Sequence, residues 1–262
     1  MTPIARILAG AVAGEDGLRL TIPSDWMQGR TSYGGLSSAI ALHAAQAAEP
    51  DLPPLRSAQI SFIGPLAGDV RITATKLRRG RNAAFMQSDI VSEAGLGFRA
   101  TFVFMADQQS QIDYVDQPYV APPPPAPDAK LYTGPEEFFT GNFNFRDLKT
   151  HADGTPLGKA EWLRWARLRG LGALDPMVEI MAVADGLPPA AFKMLDNRFA
   201  PISSLTWIVN LLTPTPKTKD GWWLLSARSN YARNGCSSQD MAIWNADGEL
   251  IATGMQSVAI FA

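Results

Sequence analysis

Residues 107–135 hold APPPPAPDAK inside a polar, proline-rich stretch. Proline has no backbone N–H to donate and holds φ at about −65°, so this segment can enter neither a helix interior nor a central strand and reads as a linker. It cuts the 262-residue chain near its middle, leaving one unit at residues 1–106 and another at 136–262. Any fold for this chain has to be assembled from those two pieces.

The two pieces carry the same order of elements. In the first, GGLSSAIALHAAQAA places Leu36, Ala39, Ile40, Ala44 and Ala47 on one face at helical spacing, with two glycines before it. RSAQISFIGP, DVRITATKLRRGR, NAAFMQSDIVSEAG and GFRATFVFM follow as four strands separated by Gly or Pro turns. Turns that short imply antiparallel pairing. In the second piece, EEFFTGNFNFR and EWLRWARLR read as strands, and DPMVEIMAVADG as a helix with Asp175 as N-cap and Pro176 in its first turn. PISSLTWIVNLLTP, GWWLLSARSNYARNG, SSQDMAIWNADG and ELIATGMQSVAIF then give four more strands, with Asp247-Gly248 as a hairpin signal. Pro65 aligns with Pro214 and Gly80 with Gly235 at nearly one offset, as duplication with a small insertion near TPKTKDG would produce. The fold class is α+β, two helix-plus-antiparallel-sheet repeats in one chain.

Composition narrows the function. With 46% hydrophobic residues the chain can bury a substantial core, and 23 basic against 25 acidic residues leave a net charge of −2, which argues against a general nucleic-acid surface. One cysteine, Cys236, excludes an internal disulfide and a multi-cysteine metal site. The start MTPIARILAG lacks a signal-peptide apolar run, and no transmembrane-length apolar stretch follows, so a cytoplasmic protein without membrane partners is expected. No G-x-S-x-G elbow, P-loop or dinucleotide-binding glycine fingerprint occurs, and two isolated histidines, His43 and His151, offer neither a zinc site nor a well-placed base.

YGGLSSAIALHAA, RSAQISFIGPL and KLRRGRNAAF in the first repeat, with WARLRG, MAVADGLPPA and DGELIATGMQ in the second, together resemble the TesB-like acyl-CoA thioesterases, a double hotdog family. The resemblance covers nearly the whole chain and rests on the order and spacing of these six pieces. It implies that each repeat wraps a curved antiparallel sheet around one long helix. It further implies an acyl-CoA substrate, no cofactor or metal, and a water held by an aspartate on the second helix, a threonine or serine on the next strand and a glutamine on the last. The aspartate position matches Asp185 and the glutamine position Gln256. An ungapped comparison anchored on Trp207 puts Pro201 at the hydroxyl's place, which leaves Ser203 or Ser204 as the substitute, and Ser203 is taken here.

The residues themselves leave alternatives open. Asp185 continues the apolar stripe of Val178, Met181 and Ala182, where desolvation would raise its pKa toward that of a general base, yet Asp185-Gly186 also suits a solvated helix end. Gln256 shares its strand face with Ala252, Gly254 and Val258, and a buried amide there belongs either to a structural network or to a site. Gly34 and Gly35 open a helix whose free N–H groups could bind an oxyanion or could simply form a steric turn. Arg78, Arg79 and Arg81 flank a hairpin and could meet coenzyme A phosphates or solvent; Arg78 and Arg81 are taken as substrate-binding. The expected activity is acyl-CoA hydrolysis, with non-hydrolytic binding of acyl-CoA or a related ligand as the alternative. A hydratase on the same fold would need a histidine paired with a carboxylate. Exposed sheet edges predict a homo-oligomer.

Overall fold

The computed structural model describes residues 1–116, 119–170, 172–196 and 200–261. The first repeat begins with α1 (Ile4–Ala9), β1 (Val12–Gly14), β2 (Gly17–Thr21) and the small pair β3 (Met27–Gln28) and β4 (Thr31–Ser32), none of which the sequence reading had assigned. Then come the expected helix α2 (Gly34–Ala48) and strands β5 (Leu55–Phe62), β6 (Asp69–Arg79), β7 (Ala83–Ser92) and β8 (Gly95–Met105). The second repeat contains β9 (Phe143–Asp147), β10 (Glu161–Leu168), α3 (Pro176–Ala184), β11 (Ile202–Leu211), β12 (Trp223–Arg233), β13 (Cys236–Trp244) and β14 (Leu250–Ile260). Asp175 caps α3 as expected, its carboxylate accepting from the Met177 and Val178 N–H groups at 2.9 and 3.2 Å. EEFFTGNFNFR is only partly strand: Phe139–Asn142 turns as a 3-10 helix before β9 begins.

All the larger strands join one twelve-stranded antiparallel sheet in the order β1-β2-β6-β7-β8-β5-β11-β14-β13-β12-β10-β9. This order reads as two copies meeting back to back at β5 and β11, where Trp207 pairs with Ile60 and Val209 with Ala58. The double hotdog architecture is therefore present, with the sheet continuous across the two repeats. Helices α2 and α3 lie together against the inner face, the start of α2 beside the end of α3: a Cβ on Gly35 would lie 2.4 Å from the Ala182 carbonyl oxygen. Only glycine lets the helices approach so closely. Tyr33 closes this end of the core, stacking on Phe139 at 4.2 Å and donating its hydroxyl to the Ala182 carbonyl at 2.8 Å.

The proline-rich segment does more than connect. Tyr119, Ala121 and Leu131 pack against a second, smaller core on the outer face of the sheet, built from Leu163, Trp165, Trp222, Leu224 and Trp244. Tyr132 also exchanges two 2.8 Å backbone hydrogen bonds with Phe145 on the edge strand β9. Proline bars a segment from a central strand but not from lying across tryptophans or touching an edge once.

Candidate active site

Asp185 is the residue immediately after α3, at φ −88° and ψ 11°, so it caps the helix rather than lying within its last turn. Its carboxylate reaches across to the start of α2, where a Cβ on Gly34 would come within 2.6 Å of Oδ2, and it accepts the Gly35 backbone N–H. Two helix ends thus act on one charge. The positive end of α2 favours the anion and the negative end of α3 opposes it.

Gln256 on β14 donates from Nε2 to Asp185 Oδ1 at 2.8 Å. Its own Oε1 accepts from Gln239 Nε2 at 2.9 Å, and Gln239 Oε1 accepts the Ala190 backbone N–H at 2.8 Å. Both glutamines are buried, at 2% and 1% exposure, so the amide that stood alone in the apolar phase of the last strand is fully engaged. The sequence reading missed Gln239. A signal was there: Gln239 occupies the inward phase of β13 between Ser237 and Met241, just as Gln256 does on β14.

Burial pushes the Asp185 carboxyl up from 3.8 to about 7, against the opposing pull of the Gln256 and Gly35 hydrogen bonds. The carboxyl borders a cavity of about 1590 Å³. Phe62, Phe98, Phe138, Phe139, Leu187 and Phe192 give that cavity an apolar lining, and Gly34, Ser203, Ser204 and Arg30 also reach it. Gln256 lies behind Asp185 rather than on the wall. Arg164 braces the turn after Asp185: it is paired with Asp147 and donates to the Gly186 carbonyl at 3.2 Å.

Ser203 and Ser204 are sorted by a β-bulge at Leu205. Ser204 pairs with Val258, so it shares the inner face with Gln256, whereas Ser203 pairs with Ala259 on the opposite face. The Ser203 hydroxyl donates to the Ser204 carbonyl at 3.3 Å. Simple alternation from Trp207 would put Ser203 on the inner face, and the extra residue puts Ser204 there instead, while both serines border the cavity. Arg78 and Arg81 do not line this cavity. Their hairpin lies at the far end of α2, where Lys76 and Arg79 pair with Glu49, and a 15-residue helix at 1.5 Å per residue puts them about 20 Å from Gly34. The exposed arginine that the structure does bring to the cavity is Arg30, between β3 and β4. His43, nine residues along α2 from Gly34, lies in the field of Asp175 rather than of Asp185, so no histidine–carboxylate pair forms at the cavity. Among the described residues no group of three His, Cys, Asp or Glu side chains could hold a metal ion, and no helix is long and apolar enough to cross a membrane.

A duplicated hotdog in one chain defines a class of protein, and two family models match it. The model of the acyl-CoA thioesterase N-terminal domain matches residues 22–105, and that of the C-terminal domain matches residues 117–260. The chain belongs to this TesB-like acyl-CoA thioesterase family. Among solved structures it is similar to a conserved protein of unknown function with hot dog fold from Alicyclobacillus acidocaldarius (TM-score 0.82, 21% identity, covering 100% of this chain and 99% of that one). It is also similar to acyl-CoA thioesterase II TesB2 from Mycobacterium marinum (TM-score 0.76, 22% identity, 98% and 96% covered). The dehydratase domain of RzxB from Pseudomonas fluorescens shares the fold more distantly, with a TM-score of 0.51 at 13% identity and 95% and 96% coverage. A comparison with curated proteins found no significant match.

Proposed function

We propose that this protein hydrolyses acyl-CoA thioesters, with Asp185 as the general base. The observation that carries the reading is a carboxyl whose pKa is raised to about 7 at the wall of a large aromatic-lined cavity. Such a group is ionised in part at neutral pH and basic enough to take a proton from water. The acyl chain lies against the cavity phenylalanines, and the thioester carbonyl faces the start of α2, whose N–H groups other than that of Gly35, which Asp185 takes, stabilise the oxyanion. Water adds to the carbonyl carbon as Asp185 accepts its proton. The C–S bond then breaks and the proton passes to the departing coenzyme A sulfur. Gln256 orients the carboxylate through its 2.8 Å bond, and Ser204 is the hydroxyl placed on the same face.

A second reading, acyl-CoA binding without hydrolysis, draws on one observation: the Gln256 amide is tied to Asp185 and Gln239 rather than facing the cavity. A panel of acyl-CoAs of graded chain length, with released thiol trapped and binding followed by calorimetry, separates the two. Thiol release that tracks protein concentration supports hydrolysis. Tight binding without release supports the alternative, and neither result would leave the family assignment without an activity here.

A further inference from the structure

The polar chain behind Asp185 runs Ala190 N–H to Gln239, Gln239 to Gln256, and Gln256 to Asp185. A primary amide is nearly the same shape at both ends, so packing alone does not decide whether Gln256 turns its NH₂ or its oxygen toward the carboxylate. The backbone N–H of Ala190 does decide it. It can only donate, so Gln239 must present its oxygen there and its NH₂ to Gln256. The Gln256 oxygen is then occupied, and its NH₂ is left for Asp185. We propose that Gln239 is a positioning residue that fixes the polarity of the Gln256 amide and thereby keeps an N–H, never an oxygen, against Asp185.

The repeat supplies an internal control on whether the fold needs these amides. Aligning Pro65 with Pro214 makes Ala58 the counterpart of Trp207 and Ile60 that of Val209, all four buried. Ala58 pairs with Phe102 as Trp207 pairs with Gln256, and Phe102 pairs with Met86 as Gln256 pairs with Gln239. On the helix side, the residue that follows α2, as Asp185 follows α3, is Glu49, which pairs with Lys76 and Arg79 and meets no buried amide. The first repeat therefore fills the two sheet positions with Phe102 and Met86, at 0% and 1% exposure. Apolar side chains satisfy the fold at both amide positions. Buried amides that the architecture does not require are kept in the one repeat where they end on a carboxylate.

This inference rests on the hydrolase reading for its kinetic readout but not for its physical content. A hydrogen bond donated to an anion favours the ionised form, so losing it moves the carboxyl upward. The titratable or charged groups facing Asp185 are few. Tyr33 lies on the α2 side, Arg164 with its Asp147 partner on the β10 side, and Arg30 and Glu93 line the cavity from the first repeat. At the positions that meet it, β13 and β14 present only the two amides.

The test is Gln239→Met, which installs the side chain the first repeat uses at that position. The expected result is an ascending limb of kcat/KM against pH displaced upward by about one unit, the scale of one hydrogen bond to a charged group. Turnover at neutral pH falls about fivefold, recovers at higher pH, and KM for acyl-CoA stays put. In parallel, the 13C resonance of the Asp185 carboxyl, assigned by its loss in Asp185→Asn, should titrate higher in the variant. A limb and a resonance that do not move overturn the proposal, as does a loss of kcat with raised KM at every pH. If the parent releases no thiol from any acyl-CoA, the hydrolase reading fails, and the carboxyl titration alone decides the role of Gln239. Should Gln239→Met not fold, Gln239→Glu keeps the acceptor for Ala190 and turns a second acceptor on the Gln256 oxygen, and is read in the same way.

Discussion

Replacing Asp185 by Asn should make the protein less active and, above neutral pH, relatively more stable. The carboxyl has an ordinary value of 3.8 and is pushed up to about 7 by burial, against the hydrogen bonds from Gln256 and Gly35. The folded state therefore holds this proton where the unfolded chain has released it. The stability that the neutral carboxyl provides is complete below about pH 4 and is lost as pH rises through about 7, at about 1.4 kcal/mol per pH unit. The amide that replaces it would be neutral throughout and lose nothing over that range. Its changed hydrogen bonds add an offset that does not depend on pH, so the informative quantity is the change in the gap. Urea unfolding at pH 5 and pH 8 should show the gap between variant and parent widening by about 3 kcal/mol in favour of the variant. In the thiol-release assay the same variant should lose about 10²–10⁴-fold in turnover while still binding acyl-CoA. A gap that stays constant between the two pH values would show that Asp185 titrates as an ordinary carboxyl and that desolvation has been overstated. Full turnover in the variant would remove it as the base.

Gln256→Leu strands Gln239 Nε2 and strips a donor from Asp185, so it should lower stability by about 1–3 kcal/mol, whereas the double variant Gln256→Leu/Gln239→Met should recover most of that loss. Thermal melts of the two single variants and the double form the cycle, and strict additivity would refute the coupled chain. Residues 1–110 and 130–262 expressed separately should not melt cooperatively, because each exposes half of the β5–β11 seam and one side of the α2–α3 contact. A separate half that melts like the whole chain would refute this.

What was legible in the sequence was whatever depends on local period and punctuation. Helices α2 and α3 and the eight long strands carry their signals in apolar spacing and in Gly, Pro and Asp-Gly turns, and Asp175 announced its helix. Asp185 and Gln256 were legible as polar residues in apolar phases, and their meeting across the sheet shows that an out-of-phase polar side chain is worth pursuing. Gln239 carries the same signal, a polar side chain in the inward phase of β13, but no turn or cap beside it sets it apart from its strand. Which of Ser203 and Ser204 shares the face of Gln256 was not legible, since one bulged residue at Leu205 inverts the phase and nothing in the local pattern marks it. Arg78 and Arg81 illustrate a different limit. Their charge is local information, but which end of α2 their hairpin reaches is set by the pairing of β6 with β7 and by the Glu49 contacts. Among its described residues the proline-rich segment forms no helix, and its docking on Trp244 depends on an outer-face tryptophan cluster that only the folded sheet assembles.

The seam where β5 meets β11 makes this one chain behave, in effect, like a bimolecular complex on a leash. Five residue pairs run along it, from Thr206 with Ser61 to Asn210 with Ser57, and the partners belong to different halves of the polypeptide. Joining the halves covalently turns their encounter into an intramolecular event, whose effective concentration is set by the length and stiffness of the tether. Cutting the tether would turn first-order folding into second-order assembly, with an apparent melting point that climbs with protein concentration. The two fragments, mixed, would then act as a complementation pair whose recovered thiol release counts how many seams have closed.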